Sequence, residues 1–297
     1  MNKSMLEAMR LNKGFIAALD QSGGSTPKAL YIYGVEEGMY KDEEEMFNMI
    51  HGMRTRVITS PSFSNERIIG TILFKKTMES KIEGHYSADF LWKVKGIVPF
   101  LKIDLGLAEE VNDVRLMRPM PDLAELLKRA NRRHIFGTKA RSVINKANKT
   151  GIRELVSQQF EIAHQVIDAG LVPIIEPEVN IYIPDKKEAE AILKEEIITN
   201  LNKLRPNDLI ILKLSLPSID NFYNEIASDP HVVRIAALSG GYTRKEADEL
   251  LKHNKCMIAS FSRALLEKLK YQQTPDEFNA TLKEAIEEIY NASVYKY

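Results

Sequence analysis

Asp208 to Leu214 reads Asp-Leu-Ile-Ile-Leu-Lys-Leu and sets one lysine, Lys213, among branched apolar side chains. The run has the length of a strand. A lysine in such surroundings loses hydration, which favours the neutral amine. A neutral amine attacks a carbonyl and makes a Schiff base. The same residue also reads as a strand-end lysine whose ammonium reaches water. Its company decides between the two. Lys139 and Arg141 stand two residues apart, as do Lys102 and Asp104, and as do Glu176 and Glu178; Asp20 ends the apolar run Gly14 to Asp20. A spacing of two puts each pair on one side of a strand. Each pair alone could be an interior ion pair or a rim charge. Gathered in one place, they depress a neighbouring lysine and stabilise nearby carboxylates.

Two further stretches suit an anion. Ser239-Gly240-Gly241 precedes a helix start, so backbone N–H groups and a helix dipole can face a phosphate, and Arg263 can add a fork of donors. Ser22-Gly23-Gly24-Ser25-Thr26 is a second small, donor-rich loop. Either Gly-Gly pair could equally be an ordinary tight turn. The histidines at 51, 85, 134, 164, 231 and 253 show no paired ligand spacing, and there is no GxGxxG or Walker loop. No metal and no cofactor are expected. Of the ways to stabilise a carbanion, an imine is the one these residues equip.

Elements that could position these groups alternate along the chain. Strands are expected at Gly14–Asp20, Arg67–Lys75, Gly96–Leu105, Ile135–Ile144, Leu171–Val179, Leu209–Leu216, Val232–Leu238 and Met257–Phe261. Between them, Asp42–Thr59, Asp89–Val94, Asp122–Asn131, a helix carrying Ile152 to Ile167 and ending at Gly170, one from Asp185 to about Leu204, Asn221–Ser228, one from Thr243 to about His253, and Ala264–Tyr271 read as helices; Gln21–Thr26 reads as a loop. Asp185 and Glu188 make a capping box, and Thr243 and Glu246 cap the helix that follows them. The last helix opens at Pro275. Strands apolar throughout are those of a parallel sheet buried on both faces. Eight strand–helix units predict a single (β/α)8 TIM barrel over 1–297 with a C-terminal helical extension; an open doubly wound sheet is the alternative. A barrel keeps its chemistry at the C-terminal strand ends and its phosphates after strands seven and eight. That is where Asp20, Lys102, Lys139, Glu176, Lys213, Ser239–Gly241 and Arg263 fall.

The 297 residues carry 41 basic and 41 acidic side chains, so nothing points to nucleic acid or an anionic membrane surface. Asn131-Arg132-Arg133-His134 reads as a solvated helix end. An apolar content of 44% supports a sizeable core. The single cysteine, Cys256, suits a reducing compartment and a buried inert thiol. No run is long enough to span a membrane, and Met1 to Lys13 lacks the apolar core of a signal peptide. A soluble cytoplasmic protein is expected. A homo-oligomer is possible, although no exposed apolar stripe marks a contact.

Read in order, Ala17-Ala18-Leu19-Asp20, Val172 to Glu178 (VPIIEPE), Leu212-Lys213, Leu238-Ser239-Gly240-Gly241 and Phe261-Ser262-Arg263-Ala264-Leu265 resemble the class I (Schiff-base) fructose-1,6-bisphosphate aldolases of the compact bacterial type. The resemblance covers nearly the whole chain. It implies a Schiff base between Lys213 and dihydroxyacetone phosphate, with Glu176 as acid/base and Asp20 handling the C4 hydroxyl proton. Lys139 would keep Lys213 neutral, Arg141 would add positive charge, and Glu178 would bridge the cationic groups. Lys102, Ser22 and Ser25 would meet one phosphate or hydroxyl; Ser239, Gly240, Gly241 and Arg263 would hold the other phosphate. Two departures stand out. Many relatives have Gly where Ser262 precedes the arginine, and no spacing argument equates Tyr297 with the C-terminal tyrosine that some use. Tagatose-bisphosphate, transaldolase-like and deoxy-sugar-phosphate aldolases share the lysine imine and remain alternatives. So does a non-catalytic phosphosugar-binding barrel.

Overall fold

The computed structural model describes residues 2–21 and 25–297. Eight parallel strands form its centre: β1 (Phe15–Leu19), β2 (Ile68–Leu73), β3 (Val98–Lys102), β4 (Gly137–Ile144), β5 (Val172–Val179), β6 (Ile210–Ser215), β7 (Val232–Leu238) and β8 (Met257–Ala259). They pair in chain order. The Ala18 N–H donates to the Phe261 carbonyl (3.2 Å) across the seam between first and last strands. The result is a (β/α)8 barrel, and the open-sheet alternative falls. The expected strands are all present, each trimmed by up to a few residues except β7, whose ends match.

The outer helices are α1 (Lys3–Leu11), α2 (Ser25–Tyr33), α3 (Glu43–Thr59), α4 (Leu123–Arg132), α5 (Lys149–Asp168), α6 (Lys186–Leu201), α7 (Arg244–Lys252), α8 (Arg263–Leu266) and α9 (Pro275–Val294), with shorter turns between. The Thr243/Glu246 and Thr274/Glu277 capping boxes form. The Asp185/Glu188 box does not: Asp185 Oδ2 instead accepts from the Ala147 N–H (2.8 Å), tying the loops after β4 and β5. The helix expected over Ala264–Tyr271 is only the single turn α8. Asp89–Val94 is the end of a turn begun at Ser87 that runs on as a π-helix. No helix among the described residues is long and apolar enough to cross a membrane.

Three elements were not expected. A hairpin, Leu107–Val111 with Val114–Met117, extends the sheet beside β4. The supposed loop Gln21–Thr26 becomes α2 from Ser25 onward. The helix α1 lies across the N-terminal end of the barrel, where Met5 and Met9 join the interior cluster. The Arg234 guanidinium caps it, donating to the carbonyls of Met9 (2.7 Å), Arg10 (2.8 Å) and Asn12 (3.2 Å), groups that every helix end leaves unpaired.

Inside, the lower barrel is apolar. Phe100 meets Phe136 edge-on, centroids 5.5 Å apart, and Gly137 lies opposite Phe100 in the β3–β4 register. A Cβ on Gly137 would come within 2.1 Å of the Val172 carbonyl and 2.9 Å of the Phe100 ring, so only glycine fits.

Candidate active site

The strand period that puts Ile16, Phe100, Ile174, Ile211 and Ile258 in the apolar interior cluster carries the chain onward to Asp20, Lys102, Glu176, Lys213 and Ser260 at the C-terminal end. Register aligns Lys102 with Lys139 and Arg141 with Glu176. Beside Lys213 stands Ala236, whose small side chain leaves room around the amine.

The groups meet. Lys213 Nζ lies 2.9 Å from Glu176 Oε1. Lys139 Nζ lies 2.7 Å from Asp20 Oδ2, 3.0 Å from Glu176 Oε2 and 4.0 Å from Asp104 Oδ2. Lys102 Nζ pairs with Asp104 Oδ1 at 2.5 Å. Glu176 thus spans two lysines, and Lys213 is only 5% exposed. The Lys139 contact with Glu176 is charge against charge, because no hydrogen bond aligns on Glu176 Oε2 among the described residues.

Burial opposes the charges of Asp20, Glu176 and Lys139, yet their partners outweigh it. For Asp20, desolvation is exceeded by Lys139 and then Lys213, and its carboxyl is held far below the usual range. Glu176 is likewise lowered, burial being overcome first by Lys139 and then by Lys213. Burial pulls at Lys139 too, but Asp20, Glu176 and Asp104 raise it well above an ordinary lysine. Lys139 is therefore a fixed cation and Glu176 a resting carboxylate.

One expected partnership changes. Glu178 pairs with Arg141 (2.5 Å) and does not bridge to Lys139, since it lies one full strand period above Glu176. Arg263 is exposed on α8 and lines, with Gln21, Lys28, Tyr33 and Met53, a cavity of about 280 Å³. No hydrogen bond or ion pair joins it to Ser239–Gly241 among the described residues. Gly240 and Gly241 have φ of 60° and 129°, and a Cβ at Gly241 would fall 2.6 Å from Tyr182 Oη; the loop packs against the one after β5. Ser22 lies outside the described residues. Ser25 opens α2.

Sequence reading gave no role to Ser260 or Arg54, and it placed Asp104 only as the partner of Lys102. Asp104 anchors Lys102 and the Arg141 N–H (3.2 Å); its spacing from Lys102 was the available signal. Ser260 has a buried hydroxyl with no partner among the described residues. Arg54, buried on α3, donates to Thr77 Oγ1 (2.8 Å) and to the carbonyl of Gln21, next to Asp20. Burial lowers Arg54 to about 10, partly offset by Asp20. Nothing in the α3 sequence separates it from a surface arginine. Tyr297 donates its N–H to the Lys252 carbonyl (3.1 Å) and meets His253 edge-on at the far end of α7, away from the mouth. Burial raises the half-buried Cys256 thiol. No three His, Cys, Asp or Glu side chains converge to hold a metal among the described residues.

The family model for class-I fructose-bisphosphate aldolase matches residues 4–213, well over half the chain. The chain belongs to that family. The match takes in Asp20, Lys102, Lys139 and Glu176 and runs up to Lys213. Among solved structures, the fructose-bisphosphate aldolase of Plasmodium falciparum superposes with a TM-score of 0.77 at 20% identity, covering 99% of this chain and 94% of that one. The protein Cgl0159 of Corynebacterium glutamicum gives 0.55 at 10% identity, covering 98% and 92%. At such identities both likenesses speak to the fold. The aldolase family membership makes a lyase acting on phosphosugars the frame for the site.

Proposed function

We propose that this class I aldolase cleaves fructose 1,6-bisphosphate reversibly to dihydroxyacetone phosphate and glyceraldehyde 3-phosphate, in the glycolysis and gluconeogenesis of the cytoplasm, with residues 1–297 acting as one catalytic unit. The observation that carries the reading is Glu176 placed between Lys213 and Lys139. Passing a proton from Lys213 to Glu176 across 2.9 Å makes the two species the chemistry needs, a neutral amine and a carboxylic acid. Lys139, held cationic by Asp20, Glu176 and Asp104, stands beside that pair.

The Lys213 amine then adds to the C2 carbonyl of the ketose. Glu176 protonates the departing hydroxyl, and the carbinolamine loses water to an iminium. Asp20 takes the C4 hydroxyl proton as the C3–C4 bond breaks, and the bonding pair enters the iminium as an enamine. Lys139, between the two carboxyls, relays that proton from Asp20 to Glu176, which delivers it to C3 of the enamine, and water adds to the iminium to release the ketone and the Lys213 amine. Lys102 meets one phosphate or hydroxyl; Ser239, Gly240, Gly241 and Arg263 receive the other phosphate. Arg141, paired with Glu178, adds positive potential at the rim.

Borohydride added with dihydroxyacetone phosphate should fix the ligand on Lys213, and Lys213→Met should abolish labelling. An adduct mapped to Lys139 would overturn the assignment. No adduct on any lysine would overturn the imine mechanism.

A further inference from the structure

The two halves of the expected phosphate grip, Ser239–Gly241 and Arg263, make no direct bond to each other among the described residues, yet one side chain reaches both elements. Arg244 opens α7, three residues after Gly241, and is only 6% exposed. Its Nη1 donates to the Ala264 carbonyl (3.4 Å), the residue next to Arg263 on α8. Its Nε lies 2.8 Å from Glu288 Oε2 on α9 and 3.8 Å from Glu267 Oε1 just beyond α8. The single turn α8 is too short to hold its own place through helical hydrogen bonds. Its position is set by what it is tied to, and a buried guanidinium with its rigid fork is a stiff tie.

We infer that Arg244 is a positioning residue for phosphate binding: anchored by Glu288, it fixes the distance between the Gly240–Gly241 loop and the turn that presents Arg263. This rests on the reading of those residues as a phosphate grip. Arg244 itself touches no substrate. Its contribution is to keep two donor sets at one spacing, so that a phosphate meets both without first ordering them.

The test compares borohydride trapping of dihydroxyacetone phosphate with that of dihydroxyacetone, as half-saturating concentrations, in wild type, Arg263→Ala, Arg244→Met and Arg244→Lys. Arg244→Met should weaken the phosphorylated ligand about tenfold more than the unphosphorylated one, the scale of one lost charge-assisted contact. Arg244→Lys should recover part of the difference. A lesion of general stability would move both ligands alike, and equal changes, or none, would overturn the inference. If Arg244→Met does not fold, Glu288→Leu removes the anchor while leaving the arginine, and must show the same selective loss. Selectivity lost in Arg263→Ala but kept in both Arg244→Met and Glu288→Leu sinks the inference alone. Selectivity kept in Arg263→Ala sinks the grip and the inference together.

Discussion

Glu176 and Asp248 are both buried carboxyls, and the molecule drives them in opposite directions. At the barrel mouth, Lys139 and Lys213 outweigh burial and hold Glu176 below the usual range. In the outer layer, on α7, burial dominates and pushes Asp248 up to about 7; Arg244 and Lys252 pull against it, but Glu288 and Glu267 add to the rise. One Asp248 oxygen is buried with no hydrogen-bond partner among the described residues. Burial alone therefore does not set the state of a carboxyl. The mouth differs because strand register delivers cations to it at fixed places, whereas the outer layer has Arg244 already committed to Glu288. A carboxylate kept charged and buried between two lysines can exchange protons with either. A carboxyl left without a partner only burdens the fold.

That contrast can be broken at either end. The largest effect is expected from Glu176→Gln, which keeps the shape and removes the proton: turnover should fall by about 10²–10⁴, with retained phosphate binding measured by competition. Near-normal turnover would pass the acid/base role to another group, Glu178 being the first to examine. Lys139→Met should come next. It strands Asp20 and Glu176 with one cation fewer, and removing one partner of a buried pair costs about 3–5 kcal/mol, readable by urea unfolding; an unchanged midpoint would show that the mouth is far wetter than its burial implies.

The expected shift at Asp248 is smaller and depends on pH. Its folded carboxyl titrates above the unfolded one, so the folded state binds the proton more tightly. Stability is then full below about pH 4 and declines as pH climbs to about 7. Relative to wild type, Asp248→Asn should leave Tm nearly unchanged at pH 4 and raise it at pH 8. A gain at pH 4 that vanished at pH 8 would reverse the assigned sign. The smallest effect is expected from a chelator: fructose 1,6-bisphosphate cleavage should survive EDTA, because the proposed electron sink is an imine. Loss restored by zinc would point to a Lewis acid instead.

Much of this was legible because a parallel barrel writes itself plainly. Its strands are buried on both faces, so runs such as Leu209–Leu216 and Val232–Leu238 appear as unbroken apolar segments, and a polar residue at the end of one is conspicuous. Spacing alone put Lys139 with Arg141 and Lys102 with Asp104 on shared faces. What spacing does not carry is height around a ring of tilted strands. That height gives Glu178 to Arg141 and leaves Lys139 to Asp20 and Glu176. Helices outside the repeating unit were also harder to see. Pro27 in the first turn of α2 was a start signal overshadowed by the glycines before it, and the hairpin Leu107–Met117 hides its strands behind Glu109, Glu110 and Asp113. The tether of Arg263's turn to α7 and α9 through Arg244 was not readable at all, since it depends on how the outer helices pack.

The plug at the barrel floor has a consequence in time. Arg234 caps the first helix from 225 residues further along the chain, and the seam joins Ala18 to Phe261. The first helix packs early partners, Met9 lying beside Gly70 of β2, but its end cap and the barrel seam wait for β7 and the segment after β8. Pairings so distant in sequence are slow to form, so ring closure should trail the neighbouring-strand contacts of β4 and β5 during refolding. Pulsed hydrogen exchange would register this as late protection of the Ala18 amide, and protection arriving together with that of β4 would mean the ring assembles in a single step.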